Sequence, residues 1–269
     1  MAQKKKQKEK RKEADSERLP ARSVYSVIQR EGEQELARPA TSLWWSGLVA
    51  GISISTSVLV EGALHAALPD AGWRELVQGL GYSVGFLIVI LGRQQLFTEN
   101  TVTPVLTIMA KTTMANLRSI LRLWAIVLAA NLAGTMIAAL FADLAGLVSA
   151  EQLENMRAVS RAAVTGKAPA EVFLSAIPAG FFIATLVWML PSSKGFEIWV
   201  IVIVTWVIAI GGFAHVIVGS AEAFLLLVGG ELGILAAFGG YLLPALFGNI
   251  IGGTALFSVL AYAQVREEI

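Results

Sequence analysis

The chain has 269 residues, 55% of them hydrophobic and only 15% charged, with a mean hydropathy of +0.66, which excludes an ordinary soluble domain and points to a polytopic membrane protein. It contains no cysteine and two histidines, so a disulfide framework, a thiolate metal site and thiol redox chemistry are excluded, and no metal or other cofactor is expected. The formal net charge of +1 conceals an asymmetry, because residues 1–40 carry eleven Lys and Arg against seven Asp and Glu.

This tail lacks the apolar core of a signal peptide. Its charge density predicts disorder over the first twenty residues and a short surface helix within SVYSVIQREGEQELA. A basic run can bind nucleic acid, but one that precedes a membrane span reads as a topological anchor touching anionic lipid, and no nucleic-acid partner is expected.

The first span is predicted over 43–68, opening on Trp44 and Trp45 at the bilayer interface. Glu61 lies inside it, where a carboxylate must face the protein interior; it is a pore-side candidate or a bond to a neighbouring helix, with His65 one turn later as its helical partner. The second span begins at 77 and stops at GRQQLFTENTVTP before resuming. Arg93, Glu99 and Asn100 cannot lie together on a lipid-facing helix, so this helix is interrupted. Arg93 and Glu99 either pair as a brace or line a vestibule. The third span is predicted over 121–146, followed by a polar loop with a short helix near EQLENMRAVSRAAV, and the fourth over 171–191.

The fifth, over 196–230, is broken at Gly211-Gly212 and carries His215 just after the break. An ionisable ring and loose backbone at membrane depth mark a cavity rather than lipid. The sixth runs over 236–264. Six crossings put both termini on one side, and the basic tail and connector assign that side to the cytoplasm.

The second half answers the first. LVAGISI at 48–54 faces IPAGFFI at 177–183, LFTE at 96–99 faces GFAH at 212–215, and ANLAG at 130–134 faces GNIIG at 248–252, at separations of 129, 116 and 118 residues. These matches set Phe97 opposite Phe213, Glu99 opposite His215 and Asn131 opposite Asn249; the two asparagines read as packing devices. Three spans per half require opposite orientations. The expected fold is therefore an all-α membrane protein of six transmembrane helices, two inverted repeats over about 43–146 and 171–264 with broken second and fifth helices, forming a channel domain over 41–266 behind a tail of 1–40.

LFTENT, GFAHVIVGS and GNIIGGTALFSVLAYA resemble the signature segments of the formate/nitrite transporter family over roughly residues 43–265. The resemblance implies an aquaporin-like protomer, a homopentamer with one pore per protomer, residence in the inner (plasma) membrane, and passage of small monovalent weak-acid anions such as formate or nitrite together with protons. His215 is similar to the family's central pore histidine and Thr98 to the loop threonine facing it, with Leu96 and Phe97 as candidates for a hydrophobic constriction. The chain departs from the family pattern at Gln95, where an acidic residue is common, at Glu99, often glycine, at Ala214, often glutamate, and at Gly219, often asparagine.

Imidazole suits proton relay because small shifts move its titration across the working range. Two alternatives stand beside the anion pore: a conduit for a cation or neutral solute such as ammonium or water, which the carboxylates favour, and a non-transporting scaffold recruiting a partner through its tail. No P-loop, nucleophile elbow or metal cluster points to an enzyme.

Overall fold

The computed structural model describes residues 19–109 and 113–269. The disorder expected over residues 1–20 therefore falls, but for Leu19 and Pro20, outside the described residues, as does Lys111. Among the described residues the chain is helical and without strands. In order the elements are α1 (Ala21–Ala37), α2 (Ala40–Ala67), α3 (Arg74–Leu91), α4 (Thr103–Met109), α5 (Met114–Leu144), α6 (Ala150–Val164), α7 (Pro169–Met189), α8 (Glu197–Ile210), α9 (Val216–Val228) and α10 (Ala236–Val265). Helices α2, α3, α5 and α10, and α7 with its extension to Ser192, are long and apolar enough to cross a membrane, whereas α8 and α9 are shorter apolar helices.

Both interrupted stretches end their first helix in the same way. Gly92 and Gly211 terminate α3 and α8, and the next residues, Arg93 and Gly212, take left-handed backbone angles of φ 53° and 59°. Glycine adopts that angle freely and arginine does not, which is why the first break carries a less visible stop signal. The amide of Gln94 then bonds Val89 O at 3.0 Å, as the amide of Phe213 bonds Ile208 O at 3.1 Å.

One asparagine holds each break. Asn131 on α5 accepts from the Phe97 amide at 2.9 Å and donates to Gly47 O and Gln95 O, each at 2.8 Å. Asn249 on α10 accepts from the Val216 amide at 2.8 Å and donates to Ala176 O and Ala214 O at 2.8 and 2.9 Å. Both are fully buried, so each satisfies backbone that has no water to turn to.

These bonds correct the register of the repeat at the breaks. Leu96, not Glu99, occupies the place of His215, and Gln94, not Phe97, that of Phe213, because three residues separate the apparent motif match from the hydrogen-bonded one. The crossing points agree in kind. A Cβ on Gly51 would strike Asn131 O and one on Gly180 would strike Asn249 O, so α2 meets α5 as α7 meets α10, at backbone contact.

Helix α1 is more than superficial. Val24, Tyr25, Ile28 and Gly32 form a buried stripe, with Tyr25 Oη donating to Leu106 O at 2.9 Å and Thr107 Oγ1 to Gln29 O at 3.1 Å. It packs against α4 at the end of the bundle where α2 begins. At the other end α6 packs against α2, α9 and the α9–α10 turn, through Gln152 to Leu59 O at 2.9 Å and the ion pair of Arg161 with Glu231 at 2.7 Å. Helix α10 carries two stretches of π winding, Ala236–Leu242 and Ile251–Ser258, each beginning at or containing a glycine pair; such widened turns re-aim side chains.

Candidate functional site

The two breaks meet at one hydrogen bond. His215 is the N-cap of α9, its ring nitrogen Nδ1 accepting from the Val218 amide at 3.2 Å, and its Nε2 lies 2.8 Å from Thr98 Oγ1. An accepting Nδ1 carries no proton, so the neutral ring bears its hydrogen on Nε2 and donates it to the threonine, leaving the hydroxyl proton of Thr98 to point onward. Both side chains are buried, and Phe86 on α3 packs edge-on against the imidazole with ring centroids 5.1 Å apart. This arrangement joins the chain's two halves across 117 residues.

A chamber of about 250 Å³ opens from His215 toward the α6 end. Exposed Glu75 and half-buried Gln78 and Lys167 stand at its mouth, with Lys167 Nζ donating to Gly212 O at 3.2 Å. Deeper in, the walls carry Glu61, Tyr82, Glu222 and Tyr241, each at most 7% exposed. A buried wall with two carboxyls and two phenols is costly in an apolar setting, which marks the chamber as a candidate site.

The other expected residues fall into distinct places. Phe213 lines the chamber and stacks on Phe182 at 6.0 Å. Leu96 and Phe97 are fully buried in the first break, where the Phe97 ring packs edge-on against Trp124 at 5.9 Å. Asn100 is a brace: its Nδ2 donates to Gln95 Oε1 at 3.0 Å, while its carbonyl accepts from Trp124 Nε1 at 2.8 Å. Glu61 faces the chamber, and His65 is not its partner but bonds Gln78 at 3.0 Å. Nor do Arg93 and Glu99 pair. Arg93 turns outward to Glu31 at 3.3 Å, because its left-handed backbone directs it to the α1 surface, and Glu99 is half-buried with Oε1 unpartnered.

Three wall residues had no place in the sequence reading. Glu222 follows His215 by seven residues, two helical turns on the same face, which was a legible signal inside an apolar run. Tyr82 and Tyr241 carried none. Tyr241 explains Gly219: a Cβ there would overlap its ring and hydroxyl, so the phenol fills the space one turn beyond the histidine. Gly219→Asn should therefore cost about 2 kcal/mol by overpacking, and adding Tyr241→Ala should restore most of it, as thermal unfolding in detergent would register; a Gly219→Asn protein as stable as the parent would mean that the tyrosine yields its place freely.

A sequence model described as "Formate/nitrite transporter" matches residues 22–263. The chain belongs to the formate/nitrite transporter family. Among curated relatives of this transporter, the inner membrane protein YfdC of Escherichia coli (strain K12) is 40% identical over 266 residues, 98% of this chain and 86% of that protein. A probable formate transporter of Methanothermobacter thermautotrophicus is 27% identical, over 78% of this chain and 82% of its own. The fold matches a pentameric formate channel with formate bound at a TM-score of 0.70 and 19% identity, covering 85% of this chain and 98% of that one. It also matches an FNT family ion channel at 0.72 and 19%, covering 91% and 98%. The transporter's family and structural neighbours are channels and transporters rather than enzymes.

Proposed function

We propose that this membrane protein conducts small monovalent weak-acid anions, formate and nitrite among them, with proton linkage at the His215 chamber. The observation that carries the reading is the contact of His215 Nε2 with Thr98 Oγ1 at 2.8 Å, at the foot of a polar chamber and between two helix breaks buried in the protein. Stripping water from a full anion costs several kcal/mol or more, and a proton removes most of that cost. Lys167 at the mouth supplies positive charge to gather the anion. Thr98 and His215 then present hydrogen-bond donors to it where hydration is lost. Leu96 and Phe97 contribute the apolar surface of the constriction.

The rest of the assembly follows the same reading. The matched asparagine bonds and glycine crossings support two three-span units, and their odd number sets them in opposite orientations. A pentameric formate channel among the structural neighbours supports a homopentamer with a pore in each protomer. The basic tail favours both termini on the cytoplasmic side of the inner membrane, in keeping with the name of the 40% identical relative.

Glu61 and Glu222 support one rival, a pore for a cation such as ammonium. Purified protein in proteoliposomes, offered formate, nitrite, ammonium and glycerol in turn, separates the two. Formate and nitrite flux above that of protein-free liposomes is expected, with ammonium and glycerol at background; the reverse order would establish the cation reading.

A further inference from the structure

His215 leaves a chemical gap. With Nδ1 capping α9 and Nε2 already bonded to Thr98, the ring can hand on its one proton only by becoming an imidazolate or by breaking the cap to take up another. A passing anion needs a donor that loses a proton without either cost. The chamber contains two. Glu61 on α2 and Glu222 on α9 face it, 6% and 4% exposed. Glu61 Oε2 is fully enclosed and without a hydrogen-bond partner among the described residues.

Resting on the weak-acid reading above, we infer that the Glu222 carboxyl, backed by Glu61, is the proton-loading group of the chamber. It converts the incoming anion to its neutral acid before the Thr98–His215 throat.

The groups facing this pair are few. Helix α3 contributes Glu75 and Tyr82, the segment after α6 contributes Lys167, α9 contributes His215 and α10 contributes Tyr241; the α6 lining residues Val159, Ala162 and Ala163 are apolar. Lys167 is the one lysine or arginine among them, and it stands at the mouth with its ammonium bonded to Gly212 O. Two carboxyls lining a chamber of about 250 Å³ with so little compensating charge repel each other when both are ionised, and one proton between them removes that repulsion.

The step balances. The O–H bond of Glu222 breaks as an O–H bond forms on the substrate oxyanion, leaving a Glu222 carboxylate and a neutral weak acid. The carboxylate then takes up a proton from the bulk solution on the α6 side, carried as hydronium through the water of the mouth, directly or through Glu61. On the α1 side the neutral acid releases its proton to water, so one proton accompanies each anion. Tyr82 and Tyr241 hydroxyls fit the same path as hydrogen-bond donors to whichever carboxyl is ionised.

The test is formate flux in proteoliposomes from pH 5 to pH 8, with proton movement followed by an entrapped pH dye, for the parent, Glu222→Gln, Glu61→Gln and Glu222→Asp. Glu222→Gln should lower formate flux about tenfold at neutral pH and lose little at pH 5, where water itself supplies formic acid, so that its profile moves toward acid. Glu61→Gln should move it less, and Glu222→Asp should keep most of the neutral flux. Infrared spectra of the parent should show a protonated carboxyl band that Glu222→Gln or Glu61→Gln removes, a readout independent of flux. Superimposed pH profiles of the parent and both glutamine variants would overturn the inference while leaving the anion conduit standing. So would glutamine variants faster than the parent at every pH, since the carboxyls would then be barriers. A parent that moves no formate at any pH would overturn the conduit as well.

Discussion

Asn249→Ala is expected to lower the stability of the folded bundle by roughly 2–5 kcal/mol. The side chain satisfies the Val216 amide and the carbonyls of Ala176 and Ala214, all in a fully buried position. Exchanges of polar side chains between membrane helices cost less on average, about 0.6 kcal/mol, because partners can be found elsewhere. Here two of the groups left without a partner, the Val216 amide and the Ala214 carbonyl, are backbone at a helix break, with no intrahelical alternative, so the larger range applies. Asn131→Ala should cost as much, since it strands the Phe97 amide and the Gln95 carbonyl in the same way and removes the bond to the Gly47 carbonyl of α2. Asn249→Asp separates the contributions, keeping an acceptor for Val216 and losing both donated bonds. Unfolding in detergent, followed by loss of helical signal, reads all three; an Asn249→Ala protein within 1 kcal/mol of the parent would show that the break is held by packing alone.

His215→Phe is expected to abolish formate flux, and Thr98→Val to reduce it about tenfold or more at neutral pH. Phenylalanine removes both the Nε2–H donor and the cap on α9, whose loss costs about 1 kcal/mol. His215→Asn isolates the chemistry from the cap, because an asparagine oxygen can still accept from the Val218 amide while nothing replaces the imidazole. It should fold as well as the parent and still conduct poorly. Thr98→Val preserves shape and strands the imidazole Nε2–H, which now meets the 2.8 Å partner. Radiolabelled formate uptake measures these variants, and a Thr98→Val protein at parental flux would remove the hydroxyl from the path.

The parts of this site that were legible in the sequence are those where a bilayer makes the chain conspicuous. Gly211-Gly212 followed by His215, and a cluster of polar residues from Arg93 to Thr101, cannot be reconciled with plain lipid-facing helices, and they mark both breaks; the pairing of Thr98 with His215 is what the family resemblance implies. Register was a different matter. Motif similarity placed Glu99 against His215, whereas backbone geometry places Leu96 there, because Arg93 takes the left-handed turn that Gly212 takes in the other half, and no residue type announces it. Glu222 is inconspicuous because a single carboxylate inside GSAEAFLLLV does little to an apolar window, though its spacing from His215 is informative. Tyr82 and Tyr241 could not be found, since an aromatic residue in a membrane helix is ordinary until the walls of a cavity are known. Helix α1 was legible as a helix but not as a docked one: its partner stripe on α4 comes from a segment of only seven residues.

The absence of cysteine permits a direct measurement of the chamber as the conduit. Ala163 is half-buried and lines it, so Ala163→Cys changes little until a charged thiol reagent is added from the α6 side. Modification is then expected to suppress formate flux by about tenfold or more, with the same reagent harmless on Leu235→Cys, 87% exposed at the α6 end, just before α10. Complete modification of residue 163 with formate flux unchanged would place the route elsewhere and contradict the account.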